Sequence, residues 1–168
     1  METNRARQGI GRSRGGLSTK LHAAVEGRGL PLAAVLTAGQ AGDNPQLVPL
    51  LNAIRVPRGG PGRPRSRPTG VVADKAYSHP STRRMLRGRG IPTTIPERSD
   101  QQAQRRARGS DGGRPPAFDK ETYKRRNVVE RFFNTLKQWR GIATRYDKKA
   151  LNYRGGVRLA ELVLWTRA

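Results

Sequence analysis

Cysteine is absent from this chain, which excludes disulfides, cysteine-ligated zinc and thiol catalysis. Histidine occurs only as His22 and His79, too few for a histidine-rich transition-metal site. Any metal must then be a hard cation held by carboxylates. Carboxylates are themselves scarce: 12 acids stand against 34 lysines and arginines, for a formal net charge of +22. That excess points to a polyanionic partner, nucleic acid above all. A membrane surface is the competing partner, but the basic residues are scattered and not gathered on one amphipathic helix. No run of about 18 apolar residues exists to span a bilayer. The Arg- and Gly-rich start does not read as a secretory signal, and a cytoplasmic location is the expectation.

An apolar fraction of 34%, with 20 glycines and 12 prolines in 168 residues, predicts one domain with a modest core and long connections. Residues 1–16 read as a flexible basic lead-in. Residues 17–26 alternate as a strand, with Leu21, Ala23 and Val25 on one face. His22 lies within it and is read as structural or as a phosphate contact. A turn at 27–29 and a second strand at 30–36 complete an antiparallel hairpin. Asp43-Asn44-Pro45 opens a helix to about Ile54, with Asp43 as its cap.

Residues 57–69 and 97–119 are basic, low in apolar content and read as long loops. The second is expected to be disordered or to order only on nucleic acid. Between them, residues 70–74 form a short apolar run ending in Asp74, the pattern of a strand delivering a carboxylate at its C-terminal end. A basic helix over 79–89, with Met85 and Leu86 inward, and a short strand over 91–95 follow. A last helix over 150–167 should turn Leu159, Leu162, Val163 and Trp165–Thr166 to the sheet.

The most patterned stretch is 123–140. Read as one helix, it puts Val129, Phe132, Phe133, Leu136 and Trp139 on an apolar face. Tyr123, Arg126, Glu130 and Lys137 share a second, narrower stripe. One carboxylate framed by cations suits chemistry on a polyanion; a solvated face with i, i+4 ion pairs is the other reading.

The spacing Tyr123-x2-Arg126-x3-Glu130-x6-Lys137 resembles the signature around the last acidic residue of many bacterial insertion-sequence transposases of the DDE type. The likeness continues in Gly141-Ile-Ala-Thr-Arg-Tyr-Asp-Lys148, Gly11-Arg-Ser-Arg-Gly-Gly-Leu-Ser-Thr-Lys20 and Val71-Val-Ala-Asp-Lys-Ala-Tyr77, and so covers nearly the whole chain. The resemblance implies an α/β (α+β) RNase H-like catalytic domain over 17–168, a mixed sheet flanked by helices. It implies Asp74 and Glu130 as catalytic, metal-holding acids for Mg²⁺, with Mn²⁺ as a substitute. It implies Tyr123, Arg126, Lys137 and Arg140 as contacts to transposon-end DNA.

Phosphodiester cleavage and strand transfer of this kind use two divalent ions about 3.5–4 Å apart, which calls for about three converging acids. The family's first acid sits on a strand upstream of the Gly11–Lys20 region, where only Glu2 stands here. The expectation is a C-terminal part of such an enzyme, lacking its first strand and inactive alone. The expected partners are DNA, as transposon ends and target, and either a second copy in a homo-oligomer or the upstream reading-frame product, with the protein associated with the bacterial nucleoid. The alternative is a non-enzymatic basic nucleic-acid-binding protein, or a degenerate transposase remnant.

Overall fold

The computed structural model describes residues 8–168, which divide into two compact units, one of 8–66 with 127–168 and the other of 67–126. Residues 1–7 of the expected lead-in lie outside the described residues. The architecture is mixed α/β with sheets flanked by helices, consistent with an RNase H-like domain.

The first unit is built on a three-stranded antiparallel sheet in the order β1 (Gly11–Ser13), β2 (Gly16–Val25), β3 (Pro31–Ala38). The hairpin of β2 and β3 is the expected one, with His22 opposite Val35 and a register shift between Ala24 and Val25. Gly29, at φ +97°, supplies the left-handed residue its turn needs. Strand β1 falls inside the stretch read as a lead-in. Its three residues carry no alternation of their own, and they are paired by β2 through Gly11 opposite Ser18.

After β3 the chain enters a 3₁₀ turn at Asn44–Gln46 and then helix α1 (Leu47–Asn52), which buries Leu47, Leu50 and Leu51. The expected cap at Asp43 is not made. Its backbone is already helical, so its carboxylate cannot reach back to the first free N–H groups, and it accepts from Lys20 Nζ at 2.9 Å instead.

The second unit opens with β4 (Val71–Val72), and helix α2 (Pro80–Gly88) and β5 (Thr93–Thr94) follow. The two strands pair in parallel, with Val71 opposite Thr93. Both are shorter than the sequence suggested, because Pro92 and Pro96 flank β5 and have no N–H for the ladder. Leu86 of α2 and the flanking Ile91 and Ile95 are buried.

Residues 97–119 are not a structureless loop. They form helix α3 (Ser99–Ala107) and a 3₁₀ turn at Gly109–Gly112. Polar ties hold this segment where apolar ones are lacking: Arg105 Nη2 lies 2.8 Å from Glu97 Oε2, and Gln101 donates to the Ser78 carbonyl at 3.3 Å. Helix α4 (Lys120–Lys124) closes the unit, capped by Asp119, whose Oδ1 accepts from the backbone N–H of Glu121 and Thr122.

In the first unit, α5 (Asn127–Leu136), α6 (Arg140–Ala143) and α7 (Ala150–Thr166) complete the fold. Phe132, Leu136 and Ala160 form the core, packed against Leu21, Ala23 and Val25 of β2 and against Phe133, Trp139, Ile142 and Leu164. Burying a side chain such as Phe132 is worth about 2 kcal/mol. Helix α7 turns Tyr153, Val157 and Ala160 inward. The face expected inward is largely outward, with Leu159 66% and Leu162 59% exposed. This helix is apolar on two sides, so its periodicity offers two faces, and the one spaced i, i+4, i+7 from Tyr153 wins the core.

Candidate functional site

Each candidate acid is positioned by a local device. Asp74 follows β4, where Ala73 still donates to the Thr94 carbonyl at 3.3 Å. Its backbone is extended and it caps the 3₁₀ turn Lys75–Tyr77, Oδ1 accepting from the Ala76 N–H at 3.0 Å. The half-buried carboxylate thus sits at the C-terminal end of a strand, as its sequence pattern indicated, with one oxygen engaged by its own turn.

Glu130 stands in the first turn of α5, where the unsatisfied N–H groups of a helix favour negative charge. It is exposed, because Phe132 and Leu136 take the core-facing side. Lys137 is also exposed, two turns on at nearly the same helical angle; its N–H donates to the Phe133 carbonyl at 3.0 Å. Arg140 begins α6 and lines a cavity of about 370 Å³ together with Trp139, Ile142, Asp147 and Tyr153.

Asp74, Tyr123 and Arg126 belong to the second unit, and Glu130, Lys137 and Arg140 to the first. The Arg126 guanidinium lies 5.6 Å from the Tyr123 ring centroid, and the Phe118 ring lies 5.2 Å from it on a tilted plane. The single helix expected from 123 through 137 is therefore interrupted between α4 and α5. Arg125 and Arg126 donate to the carbonyls of Thr122 and Tyr123, i to i−3 bonds that tighten and end α4. The sequence favours the break: Lys124-Arg125-Arg126 sets three cations in succession with nothing apolar to bury. The stripe of four residues does not lie along one helix, and the unit boundary falls between Arg126 and Asn127.

Carboxylates are the donors a hard divalent ion takes, so Asp74 and Glu130 have the right chemistry for Mg²⁺. Among the described residues, no group of three or more histidines, aspartates and glutamates gathers to hold a metal. No helix among them is long and apolar enough to cross a membrane.

Two further clusters lie in the first unit. Arg145 donates to the Gln8 carbonyl at 2.8 Å, the Gly9 carbonyl at 3.3 Å and the Thr19 hydroxyl, fastening the turn after α6 to the start of the sheet. Burial pushes its pKa down. The second cluster centres on His22, which is buried, with Nε2 2.9 Å from Thr37 Oγ1 and Nδ1 3.8 Å from Asp43. Burial lowers its pKa, Asp43 opposes that shift and Lys20 adds to it. The reading of His22 as structural or as a phosphate contact agrees on the structural side with its burial, whereas the clamp made by Arg145 had no sequence signal because its partners are mostly backbone carbonyls far away in the chain.

The transposase DDE domain profile matches residues 2–157. The chain is 36% identical over 148 residues to a Burkholderia cepacia protein named as the transposase for insertion sequence element IS402; that match covers 88% of this chain and 58% of the other. It is 34% identical over 155 residues to a Brucella ovis protein named as the transposase for IS6501, covering 90% of this chain and all of the other. The chain thus spans less than two thirds of the Burkholderia protein. No solved structure matches it significantly.

Proposed function

The chain belongs to the transposase DDE domain family of bacterial insertion sequences, and on that premise we propose that it acts in DNA transposition, binding transposon-end DNA and contributing two of three acids to a Mg²⁺-dependent cleavage and strand-transfer site. The observation that carries this reading is the position of Asp74, a carboxylate held at the C-terminal end of a parallel strand by its own capping turn. Glu130, in the first turn of α5, is the second acid. A divalent ion bound to them would polarise the phosphodiester and lower the pKa of a bound water.

The chain's own residues have separate tasks in this proposal. Asp74, on the second unit, and Glu130, on the first, are each assigned as metal-holding acids. Lys137 and Arg140 offer exposed positive charge on the unit that carries Glu130. Tyr123 and Arg126, stacked on each other, present a guanidinium backed by a ring to a phosphate. The third acid comes from another segment, an upstream product or a second copy. In support, β4 and β5 form only a two-residue, two-stranded ladder among the described residues, and a sheet of that size is marginal alone. The chain by itself is inactive, and its site of action is the nucleoid.

Calorimetric titration of Mg²⁺ or Mn²⁺ tests the proposal, with nicking of DNA carrying the element's ends as a second readout. Wild type should bind metal weakly and nick nothing, and Asp74→Asn with Glu130→Gln should abolish the heat. A segment that supplies the third acid, added in trans, should confer nicking on wild type and not on the double variant. Absence of metal binding by wild type would leave a basic DNA-binding protein, the second reading, for which the net charge of +22 is the supporting observation.

A further inference from the structure

The second unit contains a groove of about 400 Å³ whose walls are helices α2 and α3. Helix α3 and its C-terminal cap Arg108 line it with Gln101, Gln104, Arg105 and Arg108, a run spaced i, i+3, i+4, i+7. That spacing normally marks the apolar face of a helix, and here every position is polar or cationic. Helix α2 answers with Arg83, Arg84 and Arg87. Arg114 completes the lining, so six arginines face one glutamate, Glu97.

Two of the six are committed to structure. Arg83 donates through Nη2 to the Ile95 carbonyl at 2.8 Å, and Arg105 pairs with Glu97. Gly112 lets the following 3₁₀ turn close on α3, because a Cβ there would sit 2.0 Å from the Arg105 carbonyl oxygen. These contacts fix the walls. The side chains of Arg84, Arg87, Arg108 and Arg114 are exposed and make no hydrogen bond or ion pair among the described residues. Four like charges around one groove repel each other unless an anion lies between them.

We propose that this groove is a seat for the phosphate backbone of duplex DNA. Guanidinium groups fork phosphate oxygens, and here they are supplied from two helices and the segment after them. The lining contains no aromatic ring on which a base could stack, which argues for backbone binding over recognition of a nucleotide or a single strand. The segment 97–119 is then a DNA-holding module, built before the ligand arrives. The choice of DNA rests on the functional reading above; the anionic seat rests on the groove alone.

The test is the salt dependence of binding of the full chain to a labelled DNA duplex unrelated to the element. Arg84→Gln/Arg87→Gln/Arg108→Gln/Arg114→Gln is compared with a control of equal charge loss, Arg12→Gln/Arg14→Gln/Arg58→Gln/Arg63→Gln. Each lost phosphate contact lowers the slope of log affinity against log salt by about 0.9. The groove variant should lower it by about 3 to 4, and the control by less than about 1. A variant with lysine at the same four groove positions should keep the slope, which separates lost charge from lost folding. Equal shifts in the groove and control variants, or loss of the slope in the lysine variant, would overturn the proposal. So would a groove variant that loses affinity for an RNA duplex and none for DNA. A wild type that binds no DNA at all would sink the functional reading as well, so the two failures are distinguishable.

Discussion

The guanidinium of Arg145 lies 5.2 Å from the ring centroid of Tyr153, stacked on a side chain that is itself buried in helix α7. Its other side reaches the Gln8 and Gly9 carbonyls, so one residue joins the start of the sheet to the final helix. A lysine keeps the charge but cannot fork two carbonyls while stacking on a ring. Arg145→Lys should therefore cost about 1–3 kcal/mol, measured by urea unfolding. Equal stability of the two proteins would mean that the clamp is decorative.

His22 gives the fold a dependence on pH. Burial depresses its pKa from 6.5, so the unfolded chain takes up a proton more readily than the folded one. Its contribution is fully present above about pH 6.5 and is lost as pH falls through the lower folded value. Melting temperature should drop between pH 7 and 5, and His22→Gln should flatten that drop. A parallel decline in both proteins would assign the effect to other groups.

Glu161 works in the opposite sense. It is buried, its Oε1 has no hydrogen-bond partner among the described residues, and burial raises its pKa despite the Arg158 guanidinium 2.8 Å from Oε2. Holding it charged at neutral pH costs stability, and that cost is relieved as pH falls through the folded value. Glu161→Leu should raise the melting temperature at pH 8, with the gain shrinking toward pH 5. Arg158, with 45% of its side chain exposed, stays hydrated after the change.

Two leucines distinguish the two apolar sides of the last helices. Leu136→Ala removes a fully buried side chain and should cost about 2–5 kcal/mol. Leu159→Ala, at an exposed position, should stay within about 0.5 kcal/mol. Chemical denaturation of the pair decides; similar losses would mean that the outer face of α7 is covered in solution.

Where local pattern coincided with burial, the sequence was legible. The alternation of Leu21, Ala23 and Val25 and the glycines of the following turn were enough to place the hairpin, and Val71-Val72 before Asp74 was enough to place an acid at a strand end. The helix break after Tyr123 was hidden, because a stripe of charges at helical spacing looks the same whether or not the backbone is continuous. Helix α3 was hidden for another reason: its anchors, Glu97 to Arg105 and Gln101 to Ser78, are polar and in part distant in the chain. The face of α7 was undecidable locally, since both of its sides carry leucine or valine and only the sheet chooses between them.

Both tryptophans lie in the first unit: Trp139 is packed against the core, and Trp165 donates its indole N–H to the Pro31 carbonyl at 2.8 Å. Selective indole excitation therefore watches the antiparallel sheet and its helices and is blind to the arginine-lined unit, whose described aromatic residues are Phe118, Tyr77 and Tyr123. A stepwise melt would show itself as emission that changes at one temperature while helix circular dichroism changes at two. A tryptophan introduced into the second unit would give each half of the molecule its own optical signal.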